Sequence, residues 1–266
     1  MSATLLTLEF RRTRVQLVAY ALVVAIYGAA VAAIYPTVLE TTELFEPYLD
    51  MVPKGVLEAF EMSGGIASPG AYFGSQFFQV WVIVAAMFGI GLGTRGAAGE
   101  NAGGTIEIPL ATPLSRTRYL LTTIAAQALG MALLAVVAVV SVLAIGPLID
   151  VSFDIPAFAA AGVLSFAFGC AMAGVSTLVA VVTLDRGRSI GFGALVLILM
   201  YLLIVVALLE PSVEGLKYLS AFYYYRPAAI VDKGMLPVGE TALFGAVAIG
   251  GWGLAVWRFR SRDLIS

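Results

Sequence analysis

Six apolar runs divide the chain, at residues 15–35, 71–93, 120–145, 156–182, 191–209 and 241–257, and none contains Asp, Glu, Lys or Arg. Each is near the ~20 residues an α-helix needs to cross a ~30 Å hydrocarbon core, and about twice the ~10 a barrel strand needs. Lipid offers backbone groups no hydrogen-bond partner, so runs of this length must be helices. The pattern predicts an all-α integral membrane protein, one permease domain over residues 1–266 with six transmembrane helices. In the fourth run Gly162, Gly169 and Gly174 allow a tilt or a break, and the last run is short.

Composition agrees with the pattern: 61% of residues are hydrophobic and 12% charged, about half the charged fraction of a soluble domain. Charge then orients the bundle. With six spans, one face holds Arg11, Arg12, Arg14, Arg95, Arg116, Arg118, Arg186, Arg188, Arg258, Arg260 and Arg262, and the other only Lys54, Lys217, Arg226 and Lys233. The positive-inside rule puts the arginine face, and with it both termini, in the cytoplasm. Twelve carboxylates fall outside against five inside, giving formal charges of +6 within and −8 without.

The polar segments differ in kind. Residues 1–14 mix Leu5, Leu6, Leu8 and Phe10 with three arginines, which suits either a short interfacial helix among anionic headgroups or a frayed, charge-anchored tail. A signal peptide is disfavoured because the 21-residue first run exceeds the 7 to 15 residues, roughly, of a signal core. The outer loop 36–70 alternates acidic residues with Leu44, Phe45, Leu49, Leu57 and Phe60 and predicts amphipathic helices ended near Ser63–Gly65. The outer loop 210–240 carries Phe222, Tyr223, Tyr224 and Tyr225, which read first as an interfacial aromatic belt and second as a substrate gate.

Groups for chemistry are sparse. There is no histidine, and the one cysteine, Cys170, lies inside an apolar run, which suits a small buried hydrophobe rather than a reactive thiol. No run pairs a carboxylate with a base, as intramembrane proteolysis or a proton relay requires. Gly99, Gly103 and Gly104 are not followed by Gly-Lys-Ser/Thr, so they form no Walker A loop. Uphill movement of a cargo therefore needs energy from another polypeptide or a gradient.

The most informative polar segment is residues 94–119, on the arginine face. Its glycines break the second helix, Thr105 can cap the next helical turn, and Thr112 before Pro113 is an N-cap and N1 pair for a helix running through Ser115, Arg116 and Arg118 into the third span. Ile106, Ile108, Leu110 and Leu114 alternate with Glu107 and Thr112. That short amphipathic piece predicts either a partner-binding helix or an ordinary basic loop.

The order Gly99-Glu100, Gly104-Thr105-Ile106-Glu107, then Leu110-Ala111-Thr112-Pro113-Leu114-Ser115-Arg116 resembles the cytoplasmic signature of ABC-2 type transporter permeases. The Pro53-x-Gly55-x-Leu57-x-x-Phe60 start in the first outer loop and the Phe259-Arg260-Ser261-Arg262-Asp263-Leu264 tail are similar to that family too, so the resemblance covers the chain. Pro109, Asn101 and Ala102 depart from the family pattern. The resemblance implies a non-catalytic permease in the plasma membrane of a prokaryote, an exporter subunit paired with a second permease copy as homodimer or related heterodimer. Two copies of a cytoplasmic ABC ATPase would hold ATP and Mg2+; this chain would hold no cofactor, metal or nucleic acid. A coupling helix would seat in the ATPase through Glu100, Gly104, Thr105, Ile106, Glu107, Leu110, Thr112, Pro113, Ser115 and Arg116.

For the cargo the residues offer Gln76, Gln79 and Gln127, the polar side chains that can line a pathway or bond neighbouring helices. Gly89 and Gly93 make a Gly-x-x-x-Gly spacing that permits close helix approach without specifying a dimer. Two alternatives remain: a mechanotransmission subunit acting on an outer partner protein, as in copper-site maturation complexes, and a stand-alone secondary transporter, which would want coupling-ion carboxylates.

Overall fold

The computed structural model describes residues 3–49, 51–52, 56–57, 68–95 and 116–261. Six long apolar helices carry the fold: α1 (Ala3–Leu49), α2 (Pro69–Gly93), α3 (Arg116–Leu143), α4 (Ile155–Thr183), α5 (Arg186–Leu209) and α6 (Val238–Arg260). Each contains a stretch long and apolar enough to cross a membrane, and no strand occurs among the described residues. The protein is an all-α, multi-pass membrane protein.

Helix ends follow the local chemistry. Asp154 caps α4 by accepting from the Ala157 amide at 3.4 Å, with Pro156 in the first turn, and Leu184 ends it in the left-handed region at φ 51°. Asp185 then caps α5 by accepting from the Arg188 amide at 2.9 Å. A side-chain oxygen at this position satisfies a backbone N–H that the helix itself leaves unpaired. α2 stops at Gly93, before the glycines at 99, 103 and 104: the Thr94 amide donates to the Ile90 carbonyl at 3.1 Å and the Arg95 amide to that of Leu92 at 3.2 Å.

Three expectations about segment boundaries change. The N-terminal segment 1–14 is not a separate interfacial helix, because from Ala3 onward it continues into the first span without interruption. No glycine or proline lies between Ala3 and Gly28 to break it. α1 accommodates Pro36 and runs on to Leu49, so helix extends into the segment 36–70 that the pattern reads as a loop. The fourth run is unbroken, because its glycines pack against neighbouring helices rather than opening a turn.

α4 is the central, most buried helix, packed against α2, α3, α5 and α6, while α1 lies against α3. Between lipid-embedded helices little hydrophobic driving force remains, so association rests on close van der Waals contact and interhelical hydrogen bonds. The Gly89 and Gly93 pair serves this purpose within the chain: a Cβ at Gly89 would stand 2.6 Å from the Gly169 carbonyl oxygen, and one at Gly93 2.7 Å from that of Ala173. The spacing therefore joins α2 to α4.

Aromatic rings close the end of the bundle away from the termini. Tyr35, Tyr72, Phe73, Phe153 and Phe158 pack with ring centroids 5.0–6.2 Å apart. The Tyr72 hydroxyl donates to the Val31 carbonyl at 2.8 Å, tying α2 to α1.

Candidate coupling and translocation site

Two regions bear on function, one at each end of the bundle. At the terminal end, Glu100, Gly104, Thr105, Ile106, Glu107, Leu110, Thr112, Pro113 and Ser115 lie outside the described residues, and Arg116 is the first residue of α3. The flanks of that segment are anchored. Gln127, on α3, is buried and donates through Nε2 to the Leu92 carbonyl at 3.3 Å, one residue short of the end of α2. Its Oε1 accepts from Thr177 Oγ1 on α4 at 3.1 Å and from Trp252 Nε1 on α6 at 3.0 Å. One amide thus joins four helices just inside the loop.

The other flanks are fixed as firmly. Tyr119, Leu120, Val181, Ala255 and Phe259 form a buried cluster binding the start of α3 to the ends of α4 and α6. The Arg95 guanidinium donates to the Arg12 carbonyl at 3.0 Å. Burial, and then the like charge of Arg186, hold Arg95 below its ordinary pKa, with Glu9 pulling the other way.

Gln127→Leu removes the donor to Leu92 and the acceptor shared by Thr177 and Trp252. Interhelical hydrogen bonds in membranes average ~0.6 kcal/mol each, so the expected destabilisation is about 1–2 kcal/mol. Denaturation of the purified variant in detergent measures it, and an unchanged midpoint would contradict the anchoring role.

At the other end, the chain between α5 and α6 dips back into the bundle. A 3-10 segment, Pro211–Leu219, descends along α5, and the Ser220 hydroxyl donates to the Met200 carbonyl at 2.7 Å. Met200 lies nine residues before the end of α5, a descent of about 14 Å at ~1.5 Å per residue. Tyr225 is 4% exposed, with its hydroxyl 2.7 Å from Ser165 Oγ and donating to the Phe78 carbonyl at 3.4 Å. Its ring packs on Phe168, whose other neighbours are Phe222 and Phe244. Tyr225 therefore points into the protein, where an interfacial belt would need it at the surface.

The chain returns through a connector helix, Pro227–Lys233, that lies against the start of α2 and ends at Gly234, φ 68°. Asp232 accepts from the Gly70 amide at 2.8 Å and from the Ser68 hydroxyl at 3.1 Å, latching connector to α2. α2 carries a π-helical turn opposite, Gly74–Phe78, and a Cβ at Gly74 would meet that of Ala228 at 2.5 Å. π-turns of this kind occur often at functional sites.

Between α2, α5 and the connector is a cavity of about 490 Å3, within the range of small-molecule sites. Gln79 and Val82 of α2, Tyr201, Ile204 and Leu208 of α5, and Phe222, Tyr223, Arg226, Asp232 and Lys233 of the connecting chain line it. The Arg226 guanidinium lies 4.6 Å from the centroid of the Tyr223 ring, with its Nε donating to the Tyr223 carbonyl at 3.1 Å.

The three glutamines are not brought together. Gln79 lines the cavity, Gln127 is the four-helix anchor, and Gln76 is exposed on the face of α2, its backbone carbonyl taken by the Tyr27 hydroxyl at 2.5 Å. Sequence reasoning missed Tyr201, Arg226, Asp232 and Lys233 as cavity residues. The only signal was the Phe-Tyr-Tyr-Tyr-Arg run at 222–226, which periodicity alone places at an interface.

Residues 5–264 match the family described as ABC-2 family transporter protein. The chain belongs to that family. As the order of residues from Gly99 to Arg116 indicates, it is an ABC-2 permease, a membrane transport component of a family that is generally non-catalytic and associates with an ABC ATPase subunit. No curated protein matches this ABC-2 chain.

Proposed function

We propose that this permease is the transmembrane subunit of an exporter driven by ATP hydrolysis in a separate ABC ATPase. Two ATPase copies hold ATP and Mg2+ on the cytoplasmic side of a prokaryotic plasma membrane, where both termini of the permease lie. The carrying observation is the anchorage of the loop flanks. A push on residues 94–119 reaches α2 through Leu92, and α3, α4 and α6 through Gln127, Thr177 and Trp252, so it displaces packed helices together. The cavity at the opposite end, between α2 and α5, supports a path for cargo that ends on the outer side.

A second permease copy completes the assembly. Gln76 supports this reading: it presents its amide from a membrane-spanning helix, and a polar side chain there is better satisfied by a neighbouring protein surface than by lipid.

Co-expression with a Walker A ATPase from the same genome, starting with any encoded beside this gene, then purification and reconstitution, tests the reading. The expected result is a stable complex of two permeases and two ATPases whose ATP hydrolysis is stimulated by exported compounds. An outer protein that co-purifies, with hydrolysis indifferent to small molecules, would point instead to mechanical work on that partner. Failure of any ATPase to associate would overturn the proposal.

A further inference from the structure

The cavity between α2, α5 and the connector carries more than a volume. Its charged groups are Arg226, Lys233 and Asp232. The carboxylate is already committed, accepting from the Gly70 amide and the Ser68 hydroxyl. Neither cation forms an ion pair among the described residues, and both are exposed. The Tyr223 carbonyl and ring hold the Arg226 guanidinium in place, and its terminal nitrogens have no partner among the described residues. A guanidinium at the start of the connector helix and an ammonium at its end, both lining the cavity, offer two cations to a tetrahedral or planar anion.

The opposite wall is apolar. Ile204 and Leu208 of α5 line the cavity with the ring of Tyr201, and α5 beyond them exposes Leu202, Val206 and Leu209 to the surrounding membrane. A small inorganic anion makes no use of such a wall. An amphiphile uses both sides, its headgroup on the cationic rim and its tail on α5, continuous with lipid.

We propose that this cavity binds an anionic amphiphile, with a phosphate- or sulfate-type headgroup at Arg226 and Lys233 and an apolar tail along Tyr201, Ile204 and Leu208. This gives a substrate class to the exporter reading on which it rests. Binding is measured without ATP hydrolysis, so its failure leaves ATPase association untouched, and failure of that association leaves binding intact.

The test is photolabelling of the full-length chain in phosphatidylcholine nanodiscs with a diazirine-bearing dodecyl phosphate, mapped by mass spectrometry. The dodecyl phosphate probe is expected to label the 201–208 segment, while a dodecyl trimethylammonium analogue gives only background. Arg226→Gln combined with Lys233→Gln should lower labelling roughly tenfold, as expected for loss of two partly exposed charge contacts, and Arg226→Lys should retain most of it. The comparison of the two probes on the unaltered chain needs no variant to fold. Equal labelling by both probes, or undiminished labelling of the double variant, would overturn the proposal. Millimolar inorganic phosphate should leave labelling intact; complete displacement would make the ligand a free anion and overturn the amphiphile.

Discussion

Gly174→Val is expected to separate α4 from α6 and to destabilise the protein by about 3 kcal/mol, the upper end of the usual cost of overpacking. The reason lies in what the new side chain meets. A Cβ at Gly174 would stand 2.7 Å from the Ala248 carbonyl oxygen and 3.0 Å from its Cα, and one at Gly251 would stand 2.6 Å from the Gly174 carbonyl carbon. All of these are backbone atoms, which cannot rotate aside as a side chain can, so the helices themselves must part. α4 and α6 are the most extensively packed pair in the bundle, and Trp252, beside Gly251, donates to Gln127 of α3, whose Oε1 also accepts from Thr177 of α4. Thermal unfolding of the purified protein in detergent reads the loss. Gly250→Ala is the control: a Cβ there meets nothing within 4 Å, and alanine is the better helix former by roughly 0.8–1.0 kcal/mol. A Gly174→Val protein that melts with the unaltered chain would show that this crossing does not hold the bundle.

Reversing charge at Glu107 or Arg116 is expected to uncouple ATP turnover from transport while leaving the fold intact. Under the proposed coupling, these residues face the ATPase, and a like charge set against a complementary surface weakens seating; a loss of about 1.4 kcal/mol is tenfold. Arg116 opens α3, whose next buried residues, Tyr119 and Leu120, pack with Val181, Ala255 and Phe259. Force delivered at Arg116 therefore enters a rigid junction of α3, α4 and α6. The measurement compares ATP hydrolysis with export in the reconstituted complex, using Glu107→Arg and Arg116→Glu. Coupled transport should fall at least about tenfold with hydrolysis retained. Normal coupled transport in both variants would defeat the assignment of residues 94–119 as the coupling element.

The legible part of the fold was the part that depends on one solvent. Whether a run of ~20 apolar residues crosses a bilayer is decided by lipid alone, so all six spans could be placed from residues, and caps such as Asp154 and Asp185 are local hydrogen bonds that a few neighbouring positions determine. Boundaries were harder. α1 runs through Gly28, Pro36 and Pro47 without ending, although each is a local stop signal. Pro36 and the charges from Glu40 onward mark the end of the apolar run at Tyr35, and a helix beyond the hydrocarbon tolerates polar residues.

The functional residues divide in the same way. The resemblance of the order from Gly99 to Arg116 to the family signature is a property of the chain itself, since it rests on contiguous residue types and needs no tertiary contact. Gln127 was visible as a polar residue in an apolar run, yet its role depends on Leu92, Thr177 and Trp252 arriving from three other helices. Arg226 and Lys233 looked like two scattered outer cations. Only the descent of the chain along α5, held by Ser220 on Met200 and by Tyr225 among Ser165, Phe78 and Phe168, brings them to one cavity with the apolar side chains of α5.

By itself, then, the sequence determined the class of the protein, the number of spans and the family, since hydropathy, charge asymmetry and a contiguous motif are properties of the chain. The tertiary structure alone decided which glycines meet which backbone, which glutamine anchors and which lines a cavity, and where the loop between α5 and α6 goes. Those outcomes depend on contacts between residues far apart in the chain, and in a bilayer such contacts are chosen by shape and hydrogen-bond satisfaction, for which an apolar run carries almost no one-dimensional signal.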